Sequence, residues 1–184
     1  MSRNYRYWNQ DYPHFISFAT VNWVDVFIRR NYCETLLNVI EYYQKENGLL
    51  VYGWCLMPSH VHMIIGRKGV HKQEHLVRDI KRTSSKKLLK QIKENPQESR
   101  KEWMLDIFAI AGQKNSNNWH FQFWQQHNQP LEIDNKRKLD SYLSYIHRNP
   151  VVAGFVDYEQ EYRYSSARDY CGFNGLLKIK NVLI

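Results

Sequence analysis

The sequence predicts an α+β domain on an antiparallel sheet, and three observations lead there. Some segments alternate apolar and polar residues as strands do, others repeat apolar residues at helical spacing, and their order is β-α-β-β-α-insert-β-α. The second and third strands are joined by so short a link that they must form a hairpin. A chain of 184 residues can bury one real core and is too short for two ordinary domains. The expectation is one domain over residues 1–184, with a helical and loop insertion at about 94–118 and a tail at about 155–184.

The first strand is read at His14–Val21, where bulky apolar residues alternate with small or polar ones. From Asn31 to Asn47, Leu36, Leu37, Ile40 and Tyr43 recur at helical spacing, and Gly48 follows as a C-cap. Leu49–Leu56 forms the second strand, Met57-Pro58-Ser59 stops it, and His60–Ile65 forms the third. A helix over about His71–Lys93 carries Leu76, Ile80, Leu88, Leu89 and Ile92 on its apolar side. The run 94–99 breaks it, residues 100–111 form another helix, and 112–118 is a polar loop. Trp119–Trp124 returns to strand character, and Asn135–Arg148 is a helix ended by Asn149-Pro150. The tail carries no clear pattern, and the chain has neither an internal repeat nor a low-complexity segment.

Composition narrows the partner. A hydrophobic fraction of 43% and a mean hydropathy of -0.65 fit a soluble globular protein. No apolar run reaches spanning length, so no membrane partner is expected. Residues 1–8 lack an apolar stretch after their basic residues, which leads to the expectation of a cytoplasmic protein without a secretory signal. Cys33, Cys55 and Cys171 have no paired metal-ligand spacing and are read as reduced, mostly buried side chains. A net charge of +8 favours a polyanion, because phosphate neutralisation releases condensed counterions. Six Trp, thirteen Tyr and eight Phe offer stacking faces for unpaired bases, although most must fill the core.

Two residue groups could carry chemistry. Side chains alternate along a strand, so His60 and His62 project from one face and can share a metal; two polar surface residues are the competing reading. On the last helix, Tyr142, Tyr145 and Asn149 line one side, while Leu139, Leu143 and Ile146 form the stripe that would hold the helix to the sheet. By ligand preference alone a two-imidazole site suits Zn, Ni or Co as well as harder ions. The basic residues Arg78, Lys81, Arg82, Lys86 and Lys87 on the helix after the His-x-His strand are candidate DNA contacts, with a solvated helix face as the alternative. Arg148, Arg100, Lys101, Arg163 and Arg168 are further candidates.

Pro58–Ile65 resembles the HUH motif of single-tyrosine transposases, and Tyr145–Gly154 resembles their tyrosine motif in the form found in REP-associated tyrosine transposases of the IS200-like kind. Phe123–Gln126 and Tyr164–Tyr170 are also similar to that family, so the resemblance covers nearly the whole chain. Val152 departs from it, since relatives often carry Arg there, which removes one phosphate contact. A HIT-type hydrolase would need a third alternating histidine, and position 64 is Ile64.

The resemblance implies a ferredoxin-like HUH endonuclease fold with the tyrosine on a helix beside the sheet. It implies Tyr145 as nucleophile, His60 and His62 as metal ligands with Asn149 as third, and Mg²⁺ or Mn²⁺ completed by phosphate and water oxygens. The implied substrate is single-stranded DNA with a hairpin, cleaved and rejoined through a 5′-phosphotyrosine, by a monomer or a homodimer. A free tyrosine titrates near ~10, so the nucleophile needs a metal, a base or positive surroundings. The alternative is a domesticated hairpin-binding protein without transposition activity. A relaxase or replication initiator is weaker, because those usually bring larger chains.

Overall fold

The computed structural model describes residues 7–114, 120–126 and 129–180. Four strands, β1 (His14–Ala19), β2 (Leu49–Leu56), β3 (His60–Arg67) and β4 (Leu131–Glu132), form one sheet in the order β2-β3-β1-β4, with every pairing antiparallel. Among the described residues five α-helices accompany it: α1 (Arg30–Glu46), α2 (Gln73–Glu94), α3 (Lys101–Gln113), α4 (Lys136–Val152) and α5 (Ala167–Tyr170). The expected α+β architecture on an antiparallel sheet is therefore present. Among the described residues no helix is long and apolar enough to cross a membrane.

Both faces of the sheet are covered, and alternation along β3 divides them. Val61, Met63 and Ile65 enter the larger core with residues of α1, α2 and α3. Ile64 enters a smaller core with Phe15, Cys55, Ile133, Leu139 and Ile146, which lies beneath α4. His60 and His62 share the face of Ile64 by the same alternation. The β1–β3 register opposes Ser17 to His62 and Ala19 to His60, which fixes the two imidazoles against β1.

Three expectations need correction. The predicted strand at 119–124 is not one: Trp119 and the loop residues 115–118 lie outside the described residues, and Trp124 makes only an isolated bridge to Thr20. The fourth strand is Leu131–Glu132, two residues pairing with Phe15 and His14, too short to leave a period in the sequence. The last helix does not stop at Asn149-Pro150 but runs through Pro150 to Val152. Pro150 falls in the final turn, where its missing N–H deprives only the Ile146 carbonyl. An interior proline costs about 3 kcal/mol, and burial of Leu139 and Ile146 at about 1.5–3 kcal/mol each offsets it. The real stop is Gly154, which adopts φ 74°, donates to the Val151 carbonyl and lets Phe155 N–H reach the Pro150 carbonyl.

Within the segment read as an insertion, α3 contributes to the larger core. Met104 and Phe108 of α3 are fully buried, and Phe108 packs on Phe123 at 4.9 Å. The tail closes the open edge of β2: Leu56 N–H donates to the Tyr164 carbonyl, Ser166 N–H to that of Trp54, and Lys180 N–H to that of Val51. Cys33 and Cys55 are buried free thiols, and Cys171 is an exposed one.

One ion cluster around the buried Glu98 ties α3 to the start of α1. Glu98 accepts from Arg29 and Arg100, and Arg100 also reaches Asp25 at 2.7 Å. Burial works to raise the Glu98 carboxyl, but those hydrogen bonds outweigh it and hold the group down at about 2. Arg100, a candidate phosphate contact, is thus committed to the fold. Because Glu98 titrates lower folded than its ordinary 4.5, it stabilises the protein above that pH, and the contribution is lost as pH falls towards 2. Glu98→Gln should lower unfolding free energy by roughly 2–3 kcal/mol at neutral pH. Urea titrations at pH 7 and pH 3 should show the gap between variant and parent shrinking on acidification.

Candidate active site

β3 and α4 assemble the site. Asn135 caps α4 by accepting from Lys138 N–H at 2.9 Å, and the helix then lies across the smaller core. Gly53 permits the close approach: a Cβ there would stand 2.5 Å from the Leu143 side chain. His147 completes the anchorage. Its Nε2 is 2.9 Å from Ser166 Oγ, which also accepts from Trp54 N–H, so helix, β2 and tail meet at one buried hydroxyl.

The seating brings Tyr145 and Asn149 to the HUH strand. The Tyr145 ring stands edge-on to His62 at 5.2 Å, and Asn149 Nδ2 is 3.4 Å from His62 Nε2. His60 and His62 have ring centres 4.7 Å apart, and His60 Nδ1 is 3.2 Å from Ser59 Oγ. His62 is 5% exposed, whereas Tyr145 is 51% exposed, so the hydroxyl-bearing ring faces solvent above a buried imidazole. Tyr142, expected on the same side, does meet the same Phe15 ring as Tyr145, stacking on it at 4.8 Å.

The sequence reading overlooked two residues. Phe15 stacks under His62 at 5.7 Å and meets Tyr145 edge-on at 5.9 Å, forming the floor of the site. Its signal was available, because period-two alternation from Ser17, opposite His62, puts Phe15 on the face of His62. Trp23 meets His60 edge-on at 5.3 Å, is 57% exposed and carries φ 56°, a rare conformation for a bulky residue. Nothing in its local sequence announces that geometry.

Burial disfavours the charged form of both imidazoles. Desolvation, and then the neighbouring His60, pull His62 down to about 3, and desolvation lowers His60. Neutral imidazole is the ligating form. The Asn149 amide lies 3.4 Å from His62 Nε2, and a half-turn about its last bond exchanges its nitrogen for its oxygen at that place. His62 Nδ1 is buried without a partner. Two neutral imidazoles and a carboxamide fit a divalent cation that takes its other ligands from substrate and water. Among the described residues no three His, Cys, Asp or Glu side chains gather into a ligand cluster.

The cationic candidates separate into groups. Arg78 and Arg82 share the Asp79 carboxylate at 3.0 and 3.3 Å. Lys81 is half-buried, donates to the Gln125 carbonyl at 2.9 Å and is pulled down to about 8 by burial. Lys86, Lys87 and Arg148 are exposed, and Arg148 adjoins Asn149 on α4. Arg163 is exposed and Lys101 half-buried, while Arg168 donates to the Gln160 carbonyl and lies 5.6 Å from the Phe173 ring.

The family model described as "Transposase IS200 like" matches residues 9–111, more than half of the chain. The chain belongs to the IS200-like transposase family. The matched span of the transposase contains His60 and His62 and ends before α4. Its fold is that of a REP-associated tyrosine transposase solved bound to a REP hairpin: 19% identity over 100% of this chain and 94% of that one, at a TM-score of 0.66. A candidate transposase from Deinococcus radiodurans R1 is 16% identical over 80% of this chain and 98% of that one, at a TM-score of 0.45. No curated protein matches the transposase in sequence.

The electrostatics can be checked directly. In metal-free protein the His62 ring should stay neutral above about pH 4, whereas a solvated imidazole titrates near 6.5. An NMR titration of the ring carbons, assigned with His62→Asn, reads this. A His62 midpoint near 6.5 would contradict the buried, neutral ring.

Proposed function

We propose that this transposase binds single-stranded DNA hairpins and cleaves and rejoins DNA through a 5′-phosphotyrosine on Tyr145. The observation that supports this best is the convergence of a half-exposed Tyr145 with buried His62 and Asn149, drawn from two distant parts of the chain. The REP hairpin of the structural relative points to the same class of substrate.

The chemistry follows from what each group can do. The Tyr145 oxygen attacks the scissile phosphorus and loses its proton, and the phosphorus–oxygen bond to the preceding nucleotide breaks. The departing oxygen takes up a proton to become a free 3′-OH. A second 3′-OH can then attack the phosphotyrosine, returning a proton to Tyr145 and rejoining DNA without an external energy source. His60 and His62, with Asn149, would hold Mg²⁺ or Mn²⁺, which polarises the phosphate when bound. Phe15 fixes the His62 ring from below, and the His147–Ser166 contact fixes α4, so Tyr145 needs little reorganisation to reach its target. Exposed Lys86, Lys87 and Arg148 supply phosphate contacts, as do Arg78 and Arg82 at reduced effective charge beside Asp79.

Denaturing gels of the protein with hairpin oligonucleotides, copied from imperfect palindromes beside its gene, test the reading. With Mg²⁺ or Mn²⁺ a covalent protein–DNA band should form, and chelation should remove it. Tyr145→Phe should abolish the band at unchanged hairpin affinity, and Asn149→Ala should slow its formation about 10–100-fold. Adduct in the Phe variant would exclude Tyr145 as nucleophile. Tight hairpin binding without adduct under either metal would favour the domesticated binder.

A further inference from the structure

A cavity of about 470 Å³ is enclosed by the last turns of α1, the start of β2, the residue after β3 and the tail. Four lysines line it: Lys45 from α1, Lys68 after β3, and Lys178 and Lys180 from the tail. One acid, Glu41, accompanies them. Lys45 has a structural reason to be there, since it pairs with Glu41 at 2.9 Å and suits the negative end of the helix. Lys68, Lys178 and Lys180 are exposed and have no acidic partner among the described residues.

The fold fixes the backbones of these three lysines without using their charges. Gly48 adopts φ 71°, and a Cβ there would collide with the Lys68 carbonyl, so only glycine lets the two chains approach. Lys68 N–H then donates to the Gly48 carbonyl at 2.7 Å, and Lys180 N–H to the Val51 carbonyl at 2.8 Å. Gln44 Nε2 donates to the Lys178 carbonyl at 2.6 Å. Like charges gathered in this way repel one another, and a bound anion would relieve that repulsion. Only the lysine side chains remain to be ordered when it binds.

The lining selects a class of ligand. An ammonium is a compact point charge suited to phosphate oxygens, and three that converge suit adjacent phosphates. The wall between them is apolar, with Leu49 and Val51 buried and Leu50 and Ile179 half-buried. The volume falls within the ~300–1,000 Å³ of small-molecule sites. A DNA duplex would meet the lysine heads and leave the apolar wall unused, whereas a nucleoside polyphosphate has a partner for both. The cavity is remote from the HUH histidines: Lys68 lies eight residues beyond His60 along an extended strand, about 26 Å away.

We infer that this cavity binds a nucleoside di- or triphosphate, with its phosphates on Lys68, Lys178 and Lys180 and its nucleoside against Leu50 and Ile179. Because two of those lysines belong to the tail and one follows β3, the ligand fastens the tail to the sheet. The site goes beyond the DNA chemistry and does not depend on it.

Isothermal titration of the full chain with ATP, inorganic tripolyphosphate and adenosine, at fixed ionic strength and without divalent metal, tests the inference. ATP should bind most tightly, tripolyphosphate more weakly and adenosine not measurably. Lys68→Ala with Lys180→Ala should weaken ATP binding about tenfold or more. Lys93→Ala with Lys136→Ala removes the same charge from exposed positions elsewhere and should leave it unchanged. In thermal melts, ATP at ten times its Kd should raise the wild-type Tm by about 3–6 °C. The same melts verify that both double variants remain folded without ligand. Absence of ATP binding, or equal weakening by the two variant pairs, overturns the site. ATP binding no tighter than tripolyphosphate overturns the nucleotide assignment, and displacement of ATP by a hairpin oligonucleotide assigns the lysines to DNA instead. Tyr145→Phe leaves the cavity untouched, so ATP binding by that variant is expected whether or not the wild type forms a DNA adduct.

Discussion

The pleat of β3 joins the core to the chemistry. Val61, Met63 and Ile65 must point into the larger core because α1 and α2 bury them there, and strand geometry then sends His60, His62 and Ile64 the opposite way. A slip of one residue would bury both imidazoles in the aliphatic core and expose Met63, so the apolar residues enforce the register on which the site depends. The second requirement is α4, whose apolar stripe settles on the opposite face and carries Tyr145 and Asn149 with it. Stability and site geometry are thus set by the same packing.

Much of this was legible in the chain. His-x-His on a strand and Tyr-xxx-Asn on a helix both declare a shared face through simple periods, and the structure joins them across sequence separations of 83 and 87. The short strand Leu131–Glu132 was not legible, since two residues carry no period. Pro150 misled because its local cost was weighed without the tertiary burial that offsets it. Gly154 was visible within the tyrosine motif, but its part as the true helix stop emerges only from the two hydrogen bonds that close the turn. Trp23 depends on a left-handed backbone that no local residue pattern foretells.

Charge is distributed with the same economy. The net charge of +8 suggests abundant phosphate contacts, yet Arg29 and Arg100 neutralise buried Glu98, and Arg78 and Arg82 share Asp79. What is left facing solvent near α2 and α4 is a smaller set led by Lys86, Lys87 and Arg148. The face that carries His60 and His62 contains imidazoles, an amide and aromatic rings, an environment in which an added cation would dominate the local field.

The nucleophile is the central claim, and locating the covalent bond tests it most directly. Trypsin should release Leu139–Arg148, which contains both Tyr142 and Tyr145, from protein reacted with a hairpin oligonucleotide and digested with nuclease. Fragmentation mass spectrometry should place the residual nucleotide on Tyr145, the half-exposed ring beside His62. A nucleotide on Tyr142, stacked against Phe15, or on any residue outside this peptide would contradict the assignment.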